Sequence, residues 1–335
     1  MTMKRLILCI IMLVCLTSVQ VSAEEYNLPG KLNVTNTDRS RIDFNFMGYA
    51  ASFDPELFSH NNPASACDNR LSALAGILSW AVYNDTDKAP MKSVLNALGI
   101  PAEDIYEYQQ PNSDTHYAYT IAKKRIHVDG KETNLLIISA RGTQTGEEAR
   151  SDYFTRPDTN FFGYKAYGFV SNFETEVMTG LNKYLDKHPE ITEMPLKVLF
   201  TGHSLGGAVA NLLGARFTLF SESGSWWAPL LAKDDIYVYT FASIDSIRTD
   251  RETVATGFEN IHNIYNYHDS YGPHGWPIFT AAGNSGHGKF GHIDLFYSDV
   301  DRGAFGANQN PMMNVYLDAV KDGKVQYGTN RTSVG

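Results

Sequence analysis

Ser204 lies in the run Gly202-His203-Ser204-Leu205-Gly206-Gly207, which reads as G-x-S-x-G. A serine hydroxyl at this spacing suits nucleophilic attack if a strand ends just before it and a helix starts just after it. The flanks have that character. Leu196-Lys197-Val198-Leu199-Phe200 is short and mostly apolar, and Ala208 to Phe217 carries helical periodicity. The turn between them must be tight. Gly202 and Gly206 lack a Cβ, so strand and helix can approach each other there.

A serine hydroxyl needs a base to take its proton, and the base needs a carboxylate to orient it. In elbow hydrolases these follow the serine in the order acid, then histidine. Asn263 to Ser270 reads as a strand running into a turn closed by Gly272-Pro273, which makes Asp269 the first candidate acid and Asp245 its rival. His274, His287 and His292 all lie far enough along to be the base. His292 is preferred because Gly291 precedes it and a mostly apolar run follows. His287 sits in the Gly-rich stretch 283–288 and stays open as the alternative. His203, inside the elbow, is expected to pack beside the turn. His268 and Asp269 are adjacent on a strand, so they face opposite ways and cannot both point at Ser204.

Acyl transfer also needs donors for an oxyanion. One is the backbone N–H of Leu205, directly after the nucleophile. The second is expected from Thr143, where the apolar strand Ile137-Ile138-Ser139-Ala140 ends in Arg141-Gly142-Thr143. The stretch from Gln144 to Tyr164 mixes Glu147, Glu148, Arg150 and Asp152 with Tyr153, Phe154, Phe161 and Phe162. That two-sided character suits a lid over an apolar site.

The elements that must hold these groups are legible in outline. Helices are expected over 66–83, 90–98, 169–187 and 312–321. The segments 117–128 and 133–140 flank Asp129-Gly130 and read as a hairpin. Further strands are expected at 236–241 and 261–267. Residues 24 to about 65 read as a polar wrapping segment. Alternating strands and helices after residue 130 predict an α/β fold with a mostly parallel central sheet flanked by helices, and an antiparallel hairpin at its edge.

The 335 residues include an opening stretch with Lys4, Arg5, an apolar run from Leu6 to Val14, and Val21-Ser22-Ala23. This has the form of a secretory signal peptide over residues 1–23, leaving one domain over 24–335 and an extracytoplasmic location. The apolar run is too short to span a bilayer comfortably, and no later segment is long and apolar enough. Cys67 is the only cysteine beyond residue 23, so no internal disulfide is expected. Beyond that point 26 basic residues face 37 acidic ones, a formal charge of −11. An acidic chain without a basic run argues against nucleic acid and against strong attraction to anionic lipid.

Together these pieces resemble the class 3 lipase family of the α/β-hydrolases. The likeness runs in order through about residues 65–300. Ala140-Arg141-Gly142-Thr143 is similar to the family's strand ending in R-G-T, and Gly168-Phe169 to its G-F-opened helix. Thr201 to Ala208 matches its T-G-H-S-L-G-G-A elbow in full. Asn266, Asp269 and Pro273 echo its acid-bearing segment. His292 with Leu295, Phe296 and Tyr297 is similar to its late histidine. The resemblance implies Ser204 as nucleophile, Asp269 as acid, His292 as base, and Thr143 with Leu205 as oxyanion hole. It implies a lipid or other ester substrate and a lipid–water interface as the surroundings, with no cofactor and no metal. Two departures stand out. Ala242-Ser243-Ile244-Asp245 replaces the family's Gly-x-Pro-Arg, and only 23 positions separate Asp269 from His292.

Overall fold

The computed structural model describes residues 32–38, 41–83, 90–110, 117–143, 158–223, 225, 227, 229–249, 253–266, 288–296 and 309–326. The chain opens with β1 (Leu32–Asp38), β2 (Arg41–Phe46) and β3 (Tyr49–Phe53). Then come helices α1 (Asn69–Ala81) and α2 (Pro90–Ala97), and strands β4 (Ile105–Gln109), β5 (Ala118–Val128), β6 (Lys131–Ala140), β7 (Thr159–Phe161) and β8 (Tyr164–Ala166). Helix α3 (Gly168–Lys187), strand β9 (Leu196–His203) and helix α4 (Leu205–Glu222) follow. The remaining elements are β10 (Ile236–Phe241), β11 (Ile247–Arg248), β12 (Thr253–Val254), β13 (Ile261–Asn266), β14 (Lys289–Phe290), β15 (His292–Phe296) and α5 (Gln309–Lys321).

The main sheet has the order β15-β13-β10-β9-β6-β5-β4, with β9 at its centre. From β15 to β6 every pairing is parallel, and β6-β5-β4 is antiparallel. The α/β expectation and its antiparallel edge therefore hold. Both faces of the sheet are covered, so its central strands are apolar almost throughout. Leu135, Ile137, Leu199 and Tyr239 pack toward α1, α2, α5 and the β1-β2-β3 meander. Their neighbours Leu136, Ile138, Val198 and Val238 pack toward α3 and α4. The β5-β6 hairpin turns on Asp129 and Gly130 alone, with φ of 51° and 74°, the two left-handed residues that a two-residue hairpin turn requires.

Two expectations change. Residues 32–53 form an antiparallel three-stranded sheet, where the sequence reading expected a polar wrapping segment. Its inward residues Phe44, Phe46 and Phe53 are buried, and Phe46 stacks edge-on against Trp80 of α1 with ring centroids 5.5 Å apart. Helix α1 is consequently buried from Leu71 onward on nearly every side, more than an amphipathic surface helix would be. Asp68 caps it, accepting from the N–H groups of Arg70 and Leu71 at 2.7 and 3.1 Å. No helix among the described residues is long and apolar enough to cross a membrane. Residues 1–23, with the expected signal peptide, lie outside the described residues.

Candidate active site

Ser204 links the carboxyl end of β9 to the first turn of α4 with φ 55° and ψ −124°. A residue with a Cβ is strained there by about 1–3 kcal/mol, and such strain persists only where the surroundings impose it. They do so here. A Cβ on Gly202 would lie 2.3 Å from the carbonyl oxygen of Gly206, and one on Gly206 would lie 2.1 Å from that of Ala140. The Ser204 N–H donates to the Phe241 carbonyl at 3.0 Å, which ties the turn to the next strand. His203 and Leu205 are buried while Ser204 is half-exposed, so the elbow turns its serine outward.

The Arg141-Gly142-Thr143 turn lies directly against the elbow. A Cβ on Gly142 would stand 2.5 Å from the His203 carbonyl oxygen and 3.1 Å from the Ser204 Cβ. The Arg141 N–H is held by the Ala118 carbonyl at 2.9 Å. Thr143 is the last described residue of this turn, since 144–157, the larger part of the expected lid, lies outside the described residues. Leu205 opens α4, so its N–H has no acceptor within the helix and lies at the positive end of the helix dipole. Leu205 thus follows the serine directly, and Thr143 follows Gly142, which lies against it.

His203 packs beside the turn, as expected from its place inside the motif. Its Nδ1 lies 2.7 Å from the hydroxyl of Tyr83, which also donates to the His203 carbonyl at 3.3 Å. Burial lowers its pKa to about 4, so the ring is neutral at ordinary pH. Tyr83, two residues beyond α1, carries no motif signal in the sequence. Only the packing of α1 across β9 shows that it braces the elbow from below.

Among the described residues the elbow has no histidine base. Asp269, His268, His274 and His287 lie outside them. His292 opens β15 and pairs with His262, and Asp294 is the residue level with Ile264 and, through it, with Phe241 and His203. His292 is therefore three strands over and three register positions short of Ser204. At about 4.8 Å per strand and 3.3 Å per residue, the two backbones stand roughly 17 Å apart, beyond side-chain contact. The reason lies in a buried amide network. Asn263 Nδ2 donates to the Phe290 and His292 carbonyls, each at 2.8 Å, and Asn211 Nδ2 donates to Phe290 at 2.8 Å. These bonds draw the chain down to the amino end of the sheet before β15 begins. Upstream of that descent, Gly288 exchanges backbone hydrogen bonds with Ser246 and Ile247 just beyond the carboxyl end of β10. The rival acid Asp245 is paired with Lys289 at 3.4 Å. Where the family motif would put glycine, Ala242 occupies a left-handed conformation with φ 44°.

A parallel sheet between helices, with a strained serine between its central strand and the following helix, is the arrangement of an α/β-hydrolase. Residues 137–270 match the family model described as Lipase (class 3). No curated protein matches the sequence. Solved structures similar to it include the triacylglyceride lipase of Rhizomucor miehei, 17% identical, covering 69% of this chain and 81% of that one with a TM-score of 0.43. Another is a lipase from Rhizopus microsporus var. chinensis, 14% identical, covering 89% and 90% with a TM-score of 0.44.

Proposed function

We propose that the protein is an exported carboxylic-ester hydrolase acting on acylglycerols or related esters through an acyl-enzyme on Ser204. The observation that carries this reading is the outward, strained Ser204 with the Arg141-Gly142-Thr143 turn against its Cβ. Ser204 Oγ attacks the ester carbonyl, and the N–H groups of Thr143 and Leu205 receive the oxyanion. A histidine takes the serine proton and hands it to the leaving alcohol. Water then enters, gives up a proton to the same histidine, and releases the acid. Asp269 orients the base. Of the two histidines weighed for that role, His287 is favoured over His292, because it directly precedes Gly288, which is anchored at the carboxyl edge of the sheet. No step uses a metal.

The second reading is a hydrolase-fold binding protein without turnover, and the displacement of His292 from the elbow favours it. Nitrophenyl esters from acetate to palmitate, with a fluorophosphonate probe alongside, separate the two readings. Hydrolysis and labelling that both disappear in Ser204→Ala support the enzyme. Their absence in the unaltered protein supports the binding protein. Chain-length preference then tells a lipase from a short-chain, feruloyl-type or phospholipid esterase.

A further inference from the structure

Cys67, His262 and Asp294 converge far from the elbow, on the sheet face covered by α1. One coordinating atom from each lies within 4.8 Å of the other two. They come from three separate pieces of chain, namely the turn before α1, β13 and β15. Sheet register brings the last two together. His262 pairs with His292 and Ile264 with Asp294 in parallel strands, so His262 and Asp294 share one face. His262 Nδ1 stands 3.2 Å from Asp294 Oδ2, and its Nε2 stands 3.0 Å from the Ala64 carbonyl oxygen. A carbonyl and a carboxylate both only accept, so without a cation both ring nitrogens carry protons, and Nδ1, which faces Asp294, is the one that gives up its proton to coordinate. Donation of the far ring N–H to a backbone carbonyl is also how metal-bound histidines are usually held. Asp294 is fully buried and His262 is 3% exposed, so the carboxylate must be neutralised locally.

We propose that Cys67, His262 and Asp294 form a binding site for a borderline-soft divalent cation, Zn2+ by its donor set, which joins the turn before α1 to β13 and β15. One thiolate, one imidazole and one carboxylate make a mixed set that Zn2+ accepts at bond lengths of about 2.0–2.3 Å. Tetrahedral ligands at those bond lengths lie roughly 3.3–3.8 Å apart, close to the His262–Asp294 separation. Three protein ligands leave a fourth position, which water fills in such sites. Binding displaces the thiol proton of Cys67 and the Nδ1 proton of His262, and both pass to solvent. His262 lies three register positions short of the level of Ser204 and two strands over, so the ion stabilises the fold and takes no part in ester chemistry.

The test is titration of the purified, metal-stripped protein with Co2+ and then Zn2+. One Co2+ per chain is expected, with a near-ultraviolet thiolate-to-cobalt charge-transfer band that one equivalent of Zn2+ abolishes. Cys67→Ser should lose the band with its far-ultraviolet circular dichroism unchanged, and Asp294→Asn should weaken Zn2+ binding at least tenfold. Zn2+ should raise the melting temperature of the unaltered protein and leave that of Cys67→Ser unmoved. Absence of the band, or an equal band in Cys67→Ser, would overturn the proposal. In either case the cluster is a buried imidazolium–carboxylate pair with a neighbouring thiol. If Asp294→Asn does not fold, the Cys67→Ser comparison decides alone.

Discussion

Replacing Ser204 by glycine and by alanine should give two inactive proteins of different stability. Ser204 is held at φ 55° and ψ −124°, a region that costs a residue with a Cβ about 1–3 kcal/mol. Alanine keeps the Cβ and the strain, whereas glycine removes both. Two terms oppose the gain. Glycine loses about 0.4–1 kcal/mol more than alanine through the greater freedom of its unfolded chain. Loss of one half-buried carbon costs up to about 0.4 kcal/mol more. Taking the middle of each range, Ser204→Gly should exceed Ser204→Ala by about 1 kcal/mol. Urea titrations of both variants read the difference directly, as a midpoint shift of about 0.3 M if the slope is near 3 kcal/mol/M. Equal midpoints, or a lower one for glycine, would show that the turn is relaxed and that strain is not what presents the serine.

Three other outcomes follow from the same geometry. His287→Ala should lower kcat/KM by roughly 10⁴-fold or more, as loss of a triad base does, while His292→Ala should leave it within about threefold; the reverse pattern would mean that β15 leaves its place in the active enzyme. Gly142→Ala would set a Cβ 2.1 Å from the Tyr83 hydroxyl and 2.5 Å from the His203 carbonyl, so kcat should fall about a hundred- to a thousandfold with KM little changed, and an unaltered kcat would remove this turn from the oxyanion site. Burial holds the His203 pKa at about 4, below the ordinary 6.5. The unfolded chain therefore binds the extra proton first, and stability present above about pH 6.5 is lost as pH falls toward 4, by roughly 3 kcal/mol in all. Denaturant midpoints measured across that window should flatten in His203→Gln; an equally steep profile would assign the dependence to other groups.

The elements that surround Ser204 could be read from sequence because their signals are local. Asp129-Gly130 between β-rich runs specifies a two-residue turn, and Asp129 and Gly130 alone form it. The apolar run at 236–241 is the strand β10 with those bounds, since a strand covered on both faces has no polar interruptions. The glycines of the elbow were legible because the close approach they permit is itself local. The meander at 32–53 escaped because only one face of it is apolar. Ile42, Phe44 and Phe46 alternate as a half-buried strand should, but polar residues between them hide the pattern until Trp80 supplies the surface they cover.

Pairings between distant segments were decided only by tertiary structure. Sequence order puts His292 after the acid on a glycine-led run, which suits a base. Which end of β15 it occupies depends on Asn263 and Asn211 gripping the Phe290 and His292 carbonyls, and nothing near His292 reports that grip. The meeting of Cys67 with His262 and Asp294 likewise spans 228 positions of chain and needs both sheet register and the packing of the turn before α1. By itself the sequence determined an α/β sheet and a serine on a tight strand-to-helix turn, because neighbours in the chain impose both. Only the folded sheet decided that His292 stands at the amino end of its strand, away from that serine, because register is set by side chains far apart in sequence.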